Sequence, residues 1–255
     1  KIKKNYIFFA IRGKQNNGEK FINDAVYKGA SVVVCSKSCK IRNKSILIIK
    51  TNKIRDLLSY VASKFYNSKP KNIIAVTGTN GKTSVSDLFY QILRINKIRA
   101  ASIGTLGIKY DDKIIKTNLT SPDTITLHKN LNLLGNKKIN NVIIEASSHG
   151  LDQKRLHNIK FRGSIFTNFS QDHLDYHKTM KSYLNAKLIL FRKILVTKST
   201  IISNEEIPTF KILKEIAKKK KLKILNISKT LKKIKGINLK FNEDFKIKNL
   251  AMAIE

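Results

Sequence analysis

The chain has 255 residues, 42% of them hydrophobic, which supports a real core of one or two domains and excludes disorder. No apolar run reaches the roughly 18 residues that cross a bilayer, so membrane insertion is not expected. The formal charge of +34 comes from 43 lysines and only 8 arginines; base readout and phosphate forks favour Arg, so no specific nucleic-acid partner is expected.

Residues 6–11 and 31–35 are short, apolar and β-rich, and predict strands. Between them, 19–28 has helical spacing, with Phe21, Ile22, Ala25 and Val26 on one face and Gly29 as the stop. The two cysteines, Cys35 and Cys39, cannot form a disulfide framework or a four-ligand zinc site, and fit unpaired thiols in a reducing, cytoplasmic setting. Residues 46–49 predict a buried strand, and 52–65 a helix with an apolar stripe of Ile54, Leu57, Leu58, Val61, Ala62 and Phe65. Pro70 marks 67–71 as a linker. Two domains follow: 1–68, a small α/β unit, and 69–255.

The second domain opens with 72–76, a continuous apolar strand of the parallel, doubly covered type. A loop over 77–81 and a helix over 82–95 come next. Strand 99–103, a hairpin over 106–116 turning at Asp111-Asp112, helix 124–134 and strand 141–144 ending in Glu145 continue the series. Strand 163–168, helix 179–190, strand 200–203, helix 209–219 and strand 222–226 complete it. This alternation predicts a mostly parallel sheet with helices on both faces, an α/β fold. The chain starts with Lys1 rather than Met, and 249–255 reads as a helix cut short. A fragment of a longer protein is therefore expected, the first domain incomplete at its start and the second truncated at its end.

The segment Thr77-Gly78-Thr79-Asn80-Gly81-Lys82-Thr83 runs from a strand through glycines into a helix. Glycines let backbone N–H groups close on phosphate oxygens, and the helix adds its positive dipole end. Lys82 offers a charge for the terminal phosphates of ATP and Thr83 a hydroxyl for Mg²⁺. The common phosphate-loop pattern wants Gly where Val76 stands, so the glycine spacing is shorter than usual. Glu145 closes a buried strand at the sheet edge where α/β ligands bind, and suits a metal role beside Thr83. Residues 167–177 crowd His173, His177, Asp172 and Asp175 into a strand exit, which suits a second hard-cation site, although imidazole is an unusual Mg²⁺ ligand.

Three segments in this order, 77–83, Glu145-Ala146-Ser147-Ser148-His149-Gly150-Leu151 and 167–177, resemble the Mur ligases of peptidoglycan synthesis. Within that family the chain looks most like the branch that adds the third peptide residue, and 8–13 and 18–30 resemble its N-terminal domain. The resemblance implies a phosphate-loop central domain, a nucleotide-sugar-binding domain before it, and a further C-terminal domain absent from this chain, which is therefore expected to be at best weakly active alone. It implies an ATP-dependent ligase acting through an acyl phosphate. The partners would be UDP-N-acetylmuramoyl-L-Ala-D-Glu and an amino acid, with diaminopimelate expected ahead of lysine, and the enzyme is expected to be a monomer.

Carried over residue by residue, the resemblance puts Gly78, Thr79, Asn80, Gly81, Lys82 and Thr83 on the nucleotide. Thr83 and Glu145 match a first Mg²⁺ site, and Glu145 and His173 a second. Lys187 matches a lysine that carries a CO₂-derived carbamate, and Lys82, Lys187 and His173 are the catalytic candidates. Asn80, Thr120, Ser121, Ser147, Gln153 and Arg155 match contacts to the muramoyl peptide, and Lys14, Gln15 and Asn16 a nucleotide-sugar contact, with Lys14 and Asn16 departing from the usual residue types. Folylpolyglutamate synthetases share the central chemistry, but the domain before the loop and the run Ser147-Ser148-His149-Gly150 disfavour them. A non-catalytic nucleotide- or nucleic-acid-binding module would need a basic patch with interleaved aromatics, and the sequence shows none.

Overall fold

The computed structural model describes residues 2–13, 16–237, 239 and 242–255. The chain divides into two compact units, Lys1–Val61 and Ala62–Glu255. The division falls within one helix, α2 (Ile54–Phe65).

The first unit is built on three parallel strands, β1 (Tyr6–Phe9), β2 (Ala30–Cys35) and β3 (Leu47–Lys50), in that spatial order. A 3₁₀ turn, Gly18–Phe21, leads into α1 (Ile22–Tyr27), and the Asn17 side chain accepts from the Glu19 N–H at 3.1 Å to cap it. Ala10, Ile22, Val33, Cys35 and Cys39 form its core. Both cysteines are free and buried, and burial pushes the Cys35 thiol up to about 11.

The second unit holds an eight-stranded sheet. Its strands are β4 (Asn72–Thr77), β5 (Ala100–Gly104), β6 (Gly107–Tyr110), β7 (Lys113–Ile115), β8 (Asn141–Glu145), β9 (Gly163–Phe166), β10 (Thr200–Ser203) and β11 (Lys223–Asn226). They lie in the order β11-β10-β9-β4-β8-β5-β6-β7. The first six are mutually parallel, and the hairpin strands β6 and β7 run antiparallel at one edge.

Side chains alternate across the sheet, and each face is covered. Ile73 and Ala75 of β4, Val142 and Ile144 of β8 and Ile201 of β10 enter one core. Helices α4 (Thr124–Asn136), α7 (Met180–Ile189) and α8 (Phe210–Lys220) close that side through Leu127, Leu131, Leu188 and Leu213. Val76, Ile143, Ile165 and Ile202 enter the other core. There α3 (Lys82–Ile95), α9 (Ser228–Lys235) and α10 (Asp244–Ile254) cover the sheet with Val85, Leu231 and Met252.

Register decides what lies beside the phosphate loop. Central strand β4 pairs with β8 on one side, Val76 opposite Glu145, and with β9 on the other, Thr77 opposite Phe166. The carboxyl ends of three parallel strands therefore meet at one sheet edge, where ligands of open α/β sheets bind.

The structure departs from the sequence expectations at several points. Strand β1 stops at Phe9 rather than residue 11, and β3, expected as a buried strand over 46–49, runs Leu47–Lys50 with Leu47 and Ile49 exposed, because it is an edge of a three-stranded sheet. Strand β9 ends at Phe166 rather than residue 168: Thr167 N–H makes a last bond to the Thr77 carbonyl at 2.9 Å, and the Thr167 and Asn168 side chains then bond to the loop after β4. Helix α7 ends one residue before the expected end at 190 and runs into a π-helical turn, Leu190–Ile194. Two short helices, α5 (Ser148–Asp152) and α6 (Leu174–His177), are too brief to show a helical period. Helix α9 has a lysine-rich sequence that hides its two buried anchors, Leu231 and Ile234.

Candidate active site

The loop between β4 and α3 takes its shape from two glycines with positive φ, Gly78 at +145° and Gly81 at +86°. A Cβ on Gly81 would lie 2.6 Å from Asn249 Oδ1. Asn249 is a buried residue of α10 that the sequence reading did not single out. No sequence signal marked it, since its approach to the loop depends on α10 packing on α3.

The segment after β9 clamps the loop from the other side. Thr79 N–H donates to the Asn168 carbonyl at 3.0 Å, and Asn80 N–H to Asn168 Oδ1 at 2.9 Å. Thr167 Oγ1 donates to the Asn80 carbonyl at 2.6 Å. Thr79 Oγ1 accepts from Ser170 N–H at 3.0 Å and donates to the Ser170 carbonyl at 3.1 Å. The N-terminus of α3 has no side-chain cap, and an uncapped helix start presents N–H donors and a positive dipole end to an anion.

Two lysines converge on the same carbonyl. Lys82 Nζ donates to Gly78 O at 3.2 Å and Thr79 O at 2.8 Å. Lys187 Nζ donates to Gly78 O at 2.6 Å and stands 4.2 Å from the Tyr183 ring centroid. Lys187 is 1% exposed. Burial first, and Lys82 second, bring its ammonium down to about 7. Burial also lowers Lys82, against the opposing pull of Glu145 and Asp172.

Glu145 is 1% exposed at the end of β8. Among the described residues its carboxylate accepts only from neutral donors: Thr83 Oγ1 at 2.9 Å, Thr105 N–H at 3.0 Å and Thr105 Oγ1 at 3.1 Å. Burial pushes its pKa up, and these donors only partly offset that. A buried carboxylate with no cation in contact is the donor a hard metal ion wants. Among the described residues no group of three or more His, Cys, Asp and Glu side chains is gathered as a metal cage. Thr83 and Glu145 thus fit Mg²⁺, which takes few protein ligands and fills its shell from water and phosphate.

His173 sits in the left-handed region at φ +50°, at the start of α6. Its Nε2 is 3.4 Å from Asp172 Oδ2. Its ring meets His149 edge-on at 5.0 Å and Tyr183 at 5.9 Å. Among the described residues no hydrogen bond or ion pair joins it to Glu145.

A second polar network adjoins Glu145. Ser121 Oγ donates to the Glu145 carbonyl at 2.7 Å and accepts from Ser147 N–H at 2.9 Å. Ser147 Oγ caps α5 at Gly150 N–H, 3.1 Å. Arg155 donates to the Ser121 carbonyl at 2.7 Å and to Gln153 Oε1 at 2.7 Å and 3.2 Å. Thr120 Oγ1 lies 3.1 Å from Thr105 Oγ1. Ser121, Ser147, Gln153 and Arg155 are thus brought together, and Thr120 reaches Glu145 through Thr105, which the sequence reading missed. Of the nucleotide-sugar candidates, Asn16 is exposed in the first unit, its carbonyl accepting from Gly13 N–H at 2.8 Å. Lys14 and Gln15 lie outside the described residues.

Fold and loop define an α/β domain of the phosphate-loop class. The Mur ligase middle domain matches residues 76–253, and the chain belongs to the Mur ligase family. It is 40% identical over 259 residues to the UDP-N-acetylmuramoyl-L-alanyl-D-glutamate--2,6-diaminopimelate ligase of Rickettsia bellii, covering 96% of this chain and 53% of that protein. A solved structure of a ligase with the same name superposes with a TM-score of 0.83 at 25% identity, over 100% of this chain and 57% of that one. The MurF ligase of Thermotoga maritima, in complex with ADP, shares the fold at 18% identity and a TM-score of 0.58, over 88% of this chain and 48% of that one. The chain spans about half the length of the relatives it matches.

Proposed function

We propose that the chain carries the ATP-binding core of a ligase that adds diaminopimelate to UDP-N-acetylmuramoyl-L-Ala-D-Glu. The observation that carries this reading is the buried Glu145 carboxylate, bonded to the Thr83 hydroxyl at the end of a phosphate loop that holds two lysines. The names of the relatives supply the substrate class. On this reading residues 1–68 serve the nucleotide sugar, through Lys14, Gln15 and Asn16, and residues 69–255 serve ATP. The enzyme acts as a cytoplasmic monomer.

Gly78, Thr79, Asn80, Gly81 and the open start of α3 cradle the phosphates. Lys82 exchanges its two loop carbonyls for phosphate oxygens. Thr83 and Glu145 would hold one Mg²⁺, and Glu145, His173 and a carbamate on Lys187 a second, and the ions would supply positive charge against the polyanions. Asn80, Thr120, Ser121, Ser147, Gln153 and Arg155 position the muramoyl peptide. A substrate carboxylate oxygen bonds to the γ-phosphorus as the bond to ADP breaks, giving an acyl phosphate. The amine then forms the amide bond, loses a proton, and phosphate leaves. For Lys187 to become a carbamate its neutral amine must attack CO₂, forming an N–C bond and releasing a proton. An ammonium brought down to about 7 by burial leaves that amine available near neutral pH.

The test is ADP release by the full-length enzyme. Release that requires both the UDP-muramoyl dipeptide and diaminopimelate is expected. Release driven instead by a folate and glutamate, or independent of the dipeptide, overturns the proposal.

A further inference from the structure

Helix α7 is fastened to the phosphate loop at two successive residues. Lys187 Nζ donates to Gly78 O at 2.6 Å. One turn earlier, Tyr183 OH donates to Thr79 Oγ1 at 3.4 Å. Tyr183 is 0% exposed. Its ring also meets the other chemical groups of the site: Lys187 Nζ at 4.2 Å, His177 at 5.2 Å, Phe169 at 5.4 Å and His173 at 5.9 Å.

Thr79 Oγ1 is the matching node on the loop. It donates to Ser170 O and accepts from Ser170 N–H and Tyr183 OH. Three segments therefore meet at one pair of oxygens: the phosphate loop, the 167–173 segment leading to His173, and α7 with Lys187. Ring packing alone would make Phe sufficient at this place. A buried phenol needs a hydroxyl partner, and here it takes one on the loop rather than within its own helix.

We propose that Tyr183 is a positioning residue that sets the phosphate loop through Thr79 while its ring face fixes Lys187, so that nucleotide binding and the placement of Lys187 are coupled. The proposal rests on reading the loop as a nucleotide site. It does not need the ligase reaction, and its test avoids that reaction.

Binding of ADP with Mg²⁺ is measured by calorimetry on the full chain for the native protein, Tyr183→Phe, Thr79→Val and the double variant, with thermal unfolding of each. Tyr183→Phe keeps the ring and removes one oxygen. Tyr183→Phe is expected to weaken ADP about three- to tenfold, as the loss of one hydrogen bond does, and Thr79→Val, which also loses both bonds to Ser170, by at least as much. The double variant should be no weaker than Thr79→Val alone, because the contact that Tyr183→Phe removes is already lost there. Thr79→Ser, which keeps the hydroxyl and its bonds to both Ser170 and Tyr183, should restore binding, and Tyr183→Phe, which leaves the Ser170 bonds intact, separates the two contributions. Native-like affinity of Tyr183→Phe, or effects that multiply in the double variant, overturns the proposal. If ADP binds none of the proteins, the nucleotide reading itself fails, and with it this inference; if ADP binds but the full-length enzyme shows no dipeptide-dependent ADP release, only the ligase assignment fails.

Discussion

The Thr83 hydroxyl donates to Glu145 Oε2 at 2.9 Å across 62 positions of sequence. The contact exists because β4 and β8 are neighbours with Val76 opposite Glu145, so the first turn of α3 starts over the end of β8. The same carboxylate is backed by Thr105 at the end of β5. Four predictions follow the groups gathered there and deeper in the second unit.

Glu145→Gln keeps the shape of the side chain and removes its charge. A buried charge that meets only neutral donors costs stability rather than adding it. The melting temperature without ligand should hold or rise slightly, while the upward shift given by Mg²⁺ with ADP should largely disappear. A thermal melt with and without ligand checks both halves.

Gly104→Ala tests the same carboxylate by crowding. A Cβ there would stand 1.9 Å from Glu145 Oε1 and 2.4 Å from its Cδ. Overpacking of this kind costs about 1–3 kcal/mol. Denaturant unfolding should show that loss, and Mg²⁺-dependent nucleotide binding should fall with it because the carboxylate must move.

Lys187→Ala should abolish turnover of the full-length enzyme, with partial return on adding short-chain carboxylic acids, which would stand in for carbamate oxygens. Steady-state assays with and without acetate decide this, and full activity of the variant would rule out the carbamate.

His128 gives a pH prediction. Its ring is fully buried in α4, with Nδ1 2.9 Å from Lys69 Nζ. Burial, then the Lys69 charge, lowers its pKa from 6.5 to about 4. Above pH 6.5 the ring is neutral folded and unfolded, so it contributes no pH dependence. Between 6.5 and 4 only the unfolded chain takes up the proton, so stability falls with acid by up to about 3 kcal/mol. His128→Leu should flatten unfolding free energy against pH across that window, whatever it costs at neutral pH.

Much of this was legible in the residues themselves. The alternation of apolar runs and periodic segments is local, because hydrophobic period and turn chemistry act over a few residues. It gave the α/β class, and it placed α3 at residues 82–95, as observed. The loop of residues 77–83 was equally visible, since glycines before Gly-Lys-Thr carry their mechanism in the backbone. Glu145 stood out as an acid at the end of an apolar strand.

The rest depended on contacts between distant segments. Nothing near Thr105 announces that its N–H and hydroxyl will hold Glu145, and nothing near Asn249 announces that it will pack on Gly81. Lys187 is one of 43 lysines, and only resemblance to a family raised it above the others. By itself the sequence determined which local elements form and which loop joins glycines to an open helix start, because both rest on short-range sterics and burial. Tertiary structure decided which strand ends adjoin that loop and which lysine is buried against it, because strand order and desolvation are properties of the assembled sheet.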